Sequence, residues 1–237
     1  MFVPVELSHK HLAYPTSLAE KWAQSTLPTL HAIGNVDILQ QPAIALFCSV
    51  KCPGDLILQT YDLAQTLRDA EIPVISGFHS PMEKECLRLL LRGSQPIIHC
   101  PARSLDNMRL SPAQKAAIAA DRLLLLSPFP TKQRRATAAL AQQRNQLVGA
   151  IAVAVFIAYA APGGKTEAIA QVLAAKGTPL LTLESPHNAN LFALQAKVIS
   201  PEEKWLHPFL RKAMKDGGET PQQVTSVLTF FNRSLRS

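Results

Sequence analysis

From Ile44 to Leu183 short apolar runs alternate with stretches of helical periodicity. The runs Ile44–Cys48, Ile72–Ile75, Pro96–Cys100, Leu123–Leu126, Val153–Ala158 and Pro179–Leu183 have the length of strands buried on both faces. Between them the pattern predicts helices. One carries Leu56, Leu63, Ala64 and Leu67 on its apolar face, with Asp55 as N-cap. Another runs from Met82 to Leu91 behind Pro81, with Gly93 as its stop, and a third opens at Ser111-Pro112 and runs through Ala120. Strand–helix alternation of this kind predicts an α/β fold: a Rossmann-like, doubly wound and mostly parallel sheet with right-handed crossovers. The lead, residues 1–42, has a helical stretch at Ser17–Ala23, an extended piece at Pro28–Ile33 and a turn at Ile33-Gly34-Asn35. The sheet domain is expected over 43–200, closing with a short helix at Asn188–Ala196 and a last strand at Lys197–Ile199. Beyond it the alternation stops, and 201–237 reads as a helical tail, Glu202–Lys215 and Pro221–Leu235 around Gly217-Gly218.

One stretch carries most of the chemistry. Residues 140–175 read as helix, buried strand, glycine turn and helix, with Arg144 and Asn145 on the first helix and Pro162-Gly163-Gly164-Lys165-Thr166 as the turn. A glycine turn from a strand into a helix points free N–H groups at the positive end of the helix dipole, a setting that suits phosphate. It is not a Walker A loop, since GxxxxGK[ST] is missing, so ATP hydrolysis is not expected.

Charge sharpens this. No Asp or Glu occurs between Arg122 and Thr166, while Arg122, Lys132, Arg134, Arg135, Arg144 and Lys165 do. These six nearly match the formal excess of +7. A gathered excess of this kind suits a nucleic-acid or nucleotide partner, although a solvated helix face would produce the same pattern.

Composition sets outer bounds. A chain of 237 residues that is 47% hydrophobic fits one α/β domain with appendages. No apolar run reaches the roughly 18 residues that span a bilayer, and the start lacks a signal-peptide pattern, so no membrane association and a cytoplasmic location are expected. Cys48, Cys52, Cys86 and Cys100 form no CxxC pair, the seven histidines are scattered, and no metal or cofactor is assigned.

The order Ile33-Gly34-Asn35, then 42–49 (Pro-Ala-Ile-Ala-Leu-Phe-Cys-Ser), then Val74-Ile75-Ser76-Gly77, then Gln143-Arg144-Asn145 resembles the DprA/Smf DNA-processing family over roughly residues 28–200. That resemblance implies an extended Rossmann fold that binds single-stranded DNA, commonly forms homodimers, helps load a RecA-type recombinase in recombination and natural transformation, and is not an established enzyme. This chain departs from the family pattern in places. Cys48 and Val50 stand where the family has the glycine and arginine of G-S-R, with Lys51 next door, and Pro81 and Glu83 replace a glycine and an aspartate after the second strand. The related LOG phosphoribohydrolases have P-G-G-x-G-T-x-x-E, echoed by Pro162-Gly163-Gly164-Lys165-Thr166-Glu167 but broken at the third glycine, the threonine and the glutamate.

The candidate phosphate- or nucleic-acid-binding residues are Ser49, Lys51, Ser76, Gly77, Arg144, Asn145, Gly163, Gly164, Lys165 and Thr166. The Arg134-Arg135 pair is a further phosphate contact. Arg144 leads, because its planar fork grips phosphate bidentately. His79 and Glu83, four residues apart, are an acid/base pair or a surface contact, and Glu167 is a glycosidic catalyst or a helix-start acid. With no clear carboxylate pair, no catalytic residue is assigned. Two classes remain: a DNA-binding mediator, whose sparse aromatics (6%) offer few stacking platforms, and a nucleotide-binding or phosphoribohydrolase-like enzyme using the same pocket.

Overall fold

The computed structural model describes residues 3–22 and 26–200. The expected tail helices, and the end of the helical stretch expected at Ser17–Ala23, lie outside them.

In chain order the elements are β1 (Val5–Leu7), α1 (Thr16–Lys21), β2 (Leu30–Ile33), β3 (Ile44–Cys48), α2 (Gly54–Asp69), β4 (Val74–Ser76), α3 (Pro81–Leu90), β5 (Ile97–His99), α4 (Pro112–Ala119), β6 (Leu123–Ser127), α5 (Ala138–Ile151), β7 (Ala154–Tyr159), α6 (Lys165–Ala175), β8 (Leu180–Thr182), α7 (Ala189–Ala193) and β9 (Lys197–Val198). The strands form one sheet in the order β1-β2-β6-β5-β4-β3-β7-β8-β9. From β6 to β9 every neighbouring pair is parallel, whereas β1 and β2 run antiparallel at one edge. The fold is Rossmann-like, as the pattern predicts. The antiparallel edge is not visible in the pattern, because β1 is three residues long and buries only Leu7.

Side-chain alternation sorts the strands onto two apolar layers. On one face Ile44, Leu46, Phe156 and Ala158 meet Leu56, Leu63 and Leu67 of α2 and Cys86 and Leu90 of α3. On the other, Ala45, Phe47, Val155 and Ile157 meet Leu147 and Val148 of α5 and Ile169 and Leu173 of α6. Helix α5 therefore lies on the face opposite α2 and α3 as it carries the chain back across the sheet from β6 to β7. That return makes β3 and β7 neighbours and creates the point where strand order reverses, the usual location of a crevice in such sheets.

Helix starts follow local chemistry. Ser80 and Ser111 each form a capping box, with Glu83 and Gln114, and Pro81 and Pro112 take the first helical positions. Asp55 is not the cap of α2. Pro53 precedes the first residue, Gly54, and Asp55 lies in the first turn, where its Oδ2 accepts from Ser185 Oγ at 3.0 Å. Proline presets the backbone angle there, and the acid one step inside still meets the positive helix end.

Candidate nucleic-acid interface

The carboxyl ends of β3 and β7 stay paired side by side at the reversal point. Their register shifts between Phe47 and Cys48. Ser49 continues the pairing: its N–H donates to Tyr159 O at 2.9 Å and its Oγ accepts from Ala161 N at 2.9 Å. Ser76, fully buried, donates its hydroxyl to Leu46 O at 2.6 Å and accepts from Phe78 N at 3.2 Å. Both serines thus join loop to strand. Phe78 sits at φ 45°, a left-handed conformation that costs a bulky residue on the order of 1 kcal/mol or more, and its ring meets His99 edge-on at 5.4 Å.

Arg144 lies beneath this floor. Only 4% of it is exposed, and Nη1 donates to Cys100 O at 3.0 Å. Its guanidinium occupies the space a side chain at Gly77 would need: a Cβ there would overlap Nη1 and Cζ and come within 2.6 Å of Nη2. Burial pulls the Arg144 pKa down from its ordinary value, opposed by the charge of Glu83. Arg144 Nε and Asn145 Oδ1 are buried without a hydrogen-bond partner among the described residues.

Glu83 is the matching acid. Oε1 accepts from Cys48 N at 3.0 Å, and Oε2 from His79 N at 2.7 Å and Ser80 N at 3.2 Å. It meets the backbone N–H of His79 rather than its ring, so the expected side-chain acid/base pair gives way to a backbone clasp. The sequence signal was the S-x-x-E box at Ser80–Glu83, which marks Glu83 as an acceptor for N–H groups at the start of α3.

The glycine turn holds an internal anion. Gly163, at φ 71°, donates its N–H to Glu167 Oε2 at 2.6 Å, and Glu167 Oε1 accepts from Asn190 Nδ2 at 2.6 Å. These bonds, Asn190's first, lower the Glu167 pKa. Gly164 N–H donates to Ala161 O at 2.9 Å, which leaves Lys165, exposed, and Thr166, half-buried, facing outward at the first turn of α6.

Around the floor lies a basic rim. The loops after β3, β5, β6 and β7 expose Lys51, Arg109, Lys132, Arg134, Arg135 and, at the start of α6, Lys165, none of them in an ion pair with a described residue. Arg109 is not singled out by the acid-free interval, because it belongs to an earlier loop. Arg122 leaves the cluster. It stands at the amino end of β6, where its Nη2 donates to Leu91 O at 3.3 Å, with the length of the strand between it and the rim.

Residues 6–203 match the family described as DNA recombination-mediator protein A. The chain belongs to that family. No curated protein sequence matches the chain. Among solved structures it is similar to DNA processing protein A (DprA) from Streptococcus pneumoniae, with a TM-score of 0.70 at 18% identity over 83% of this chain and 71% of that one. It is also similar to the Helicobacter pylori DNA processing protein A, whose single-stranded DNA binding mode is described, with a TM-score of 0.70 at 20% identity over 91% and 97% of the two chains. These likenesses establish the fold, and membership places the chain among DNA-processing proteins. Among the described residues no helix is long and apolar enough to cross a membrane, and no group of His, Cys, Asp and Glu is arranged to hold a metal.

Proposed function

We propose that this protein binds single-stranded DNA across the carboxyl ends of β3 to β7, as a mediator in DNA processing, recombination or uptake. The observation that carries the reading is the basic rim itself: six exposed cations, unpaired among the described residues, all on loops that leave the carboxyl ends of the parallel strands. Lys51, Lys132, Arg134, Arg135 and Lys165 hold phosphates. Ser49, Ser76 and Gly77 shape the floor, Arg144 and Asn145 brace it from below, and Gly163, Gly164 and Thr166 shape the turn that presents Lys165. The reading extends to a cytoplasmic homodimer that hands its strand to a RecA-type recombinase.

The test is fluorescence anisotropy with single strands of increasing length and with mononucleotides, over a salt series. Affinity is expected to rise with strand length. The log–log salt slope should become shallower by about 0.7 for each phosphate contact removed, as in Lys165→Ala or Arg134→Ala. Mononucleotide binding with no gain from chain length would overturn the reading in favour of a nucleotide site. Unchanged slopes in folded variants would return the rim to a solvated face.

A further inference from the structure

Three of the four cysteines belong to one face of the sheet. Cys48 ends β3, Cys52 closes the following loop, and Cys86 lies on α3, all in the same apolar layer. Cys100 belongs to the opposite layer. All four are free thiols. The Cys48 and Cys52 side chains are hydrogen-bonded to each other. Cys48 is buried and its N–H is clasped by Glu83, while Cys52 is half-buried. Cys52 immediately precedes Pro53 and the first turn of the 16-residue helix α2, whose positive end favours a thiolate. The two thiols therefore differ in kind: Cys52 is partly accessible at a helix start, and Cys48 is buried behind it.

We propose that Cys52 and Cys48 form a thiol–disulfide exchange site that takes a low-molecular-weight disulfide such as glutathione disulfide, with Cys52 as the attacking and Cys48 as the resolving thiol. The Cys52 thiolate attacks one sulfur of the oxidant. A mixed disulfide forms, the oxidant's S–S bond breaks, and the departing thiolate takes up the proton Cys52 has lost. Cys48 then attacks Cys52 Sγ, its proton passing to the second departing thiolate. The Cys48–Cys52 bond forms as the mixed disulfide breaks. Two protein thiols are oxidised, and one small disulfide is reduced to two small thiols. Closing the sulfurs from hydrogen-bond reach to a bond of about 2.05 Å asks for a local adjustment of the loop between them. That loop is Ser49-Val50-Lys51; Ser49 is held by Tyr159 and Ala161, so the adjustment falls on Val50, 68% exposed, and Lys51, exposed.

The direction of proton sharing fits these roles. The hydrogen bond from Cys48 lowers the Cys52 pKa, against burial and the charge of Asp55. The same bond, followed by burial and the negative neighbours Cys52, Glu83 and Cys86, raises that of Cys48. Burial likewise raises Cys86, which has no such hydrogen bond and is the less suited partner.

The full chain is incubated with glutathione disulfide, quenched by alkylation and mapped by mass spectrometry after tryptic cleavage. Lys51 lies between the two cysteines, so cleavage after it separates their peptides unless a disulfide joins them. The expected product is one crosslink, Cys48 to Cys52, reversed by a reductant, with Cys86 and Cys100 alkylated. Cys52→Ser should slow thiol loss by about tenfold or more. Cys48→Ser should stop at glutathione attached to Cys52. Should that buried substitution fail to fold, the wild-type map with Cys52→Ser still decides. A crosslink through Cys86, a wild-type product that stays glutathionylated, or undiminished reactivity in Cys52→Ser would overturn the proposal.

Discussion

Gly77→Ala tests whether Arg144 is a built part of the floor. Gly77 has no left-handed φ, so alanine carries no backbone penalty there, and the whole effect is steric. The new methyl overlaps the Arg144 guanidinium and forces it off Cys100 O. A lost hydrogen bond from a charged donor costs about 1.5–3 kcal/mol, and overpacking a tight core about 1–3 kcal/mol. Since the guanidinium relaxes part of the strain by leaving, about 2–4 kcal/mol of destabilisation is expected. Arg144→Ala alone also destabilises, by removing the partner of Cys100 O. In the Arg144→Ala background, however, the methyl enters vacated space, and Gly77→Ala should cost less than about 1 kcal/mol. The assay is urea denaturation of the four proteins, followed by far-ultraviolet circular dichroism. Coupling of about 2 kcal/mol is expected. Additivity within about 0.5 kcal/mol would refute the argument, since it would mean that the two residues do not share the space assigned to them.

Two further outcomes follow from the same geometry. Burial, then the positive charge of Arg144, against a hydrogen bond with the Gly77 backbone, lowers the His99 pKa from 6.5 to about 4. The unfolded chain therefore binds a proton that the folded one does not, and stability should fall as pH drops from 6.5 to about 4, by up to about 3 kcal/mol. The half-buried ring makes this an upper figure, and a His99→Gln melting series that keeps the full slope in that window would contradict it. Glu167→Ala removes the anion that occupies the Gly163 N–H and should tighten single-strand binding about threefold in anisotropy titrations. Weaker or unchanged binding in a folded variant would show that the turn's N–H groups do not face the ligand.

Legibility in the sequence followed the range of the forces involved. The apolar run at Ile44–Cys48 and the Ser111-Pro112 cap are local signals, and each reappears where the pattern predicts it. Strand β2 was legible only as an extended piece, since its antiparallel partners β1 and β6 are set by tertiary pairing. At the site, sequence reading found the segments but not the direction in which the side chains point. Arg144 recurs among buried neighbours of α5, and its guanidinium turns inward because Gly77 leaves a hole for it. Nothing within several residues of Arg144 in sequence reveals that hole. Glu167 was legible as a helix-start acid, while its bond to Asn190 depends on a contact between α6 and the segment after β8.

Arg144 and Glu83 share a logic that separates the floor from the rim. Burying a charge costs several kcal/mol even after relaxation, so a buried charge is tolerated only when polar groups meet it. Glu83 collects three backbone N–H groups, one from the end of β3 and two from the loop after β4, and Arg144 donates to the Cys100 carbonyl just past β5. Together they tie the carboxyl ends of β3, β4 and β5 to α3 and α5. Such ties fix where the loops leave the sheet while removing both charges from the surface. In the proposed reading, contact with a polyanion falls to long, exposed side chains on those loops, Lys51, Arg134, Arg135 and Lys165. A floor of tied loops with an exposed cationic edge favours tracking a backbone over reading a base, because exposed lysines and arginines follow phosphate positions without fixing base edges. It follows that the rim substitutions should weaken binding to all strand sequences about equally, whereas Gly77→Ala should alter stability before it alters affinity.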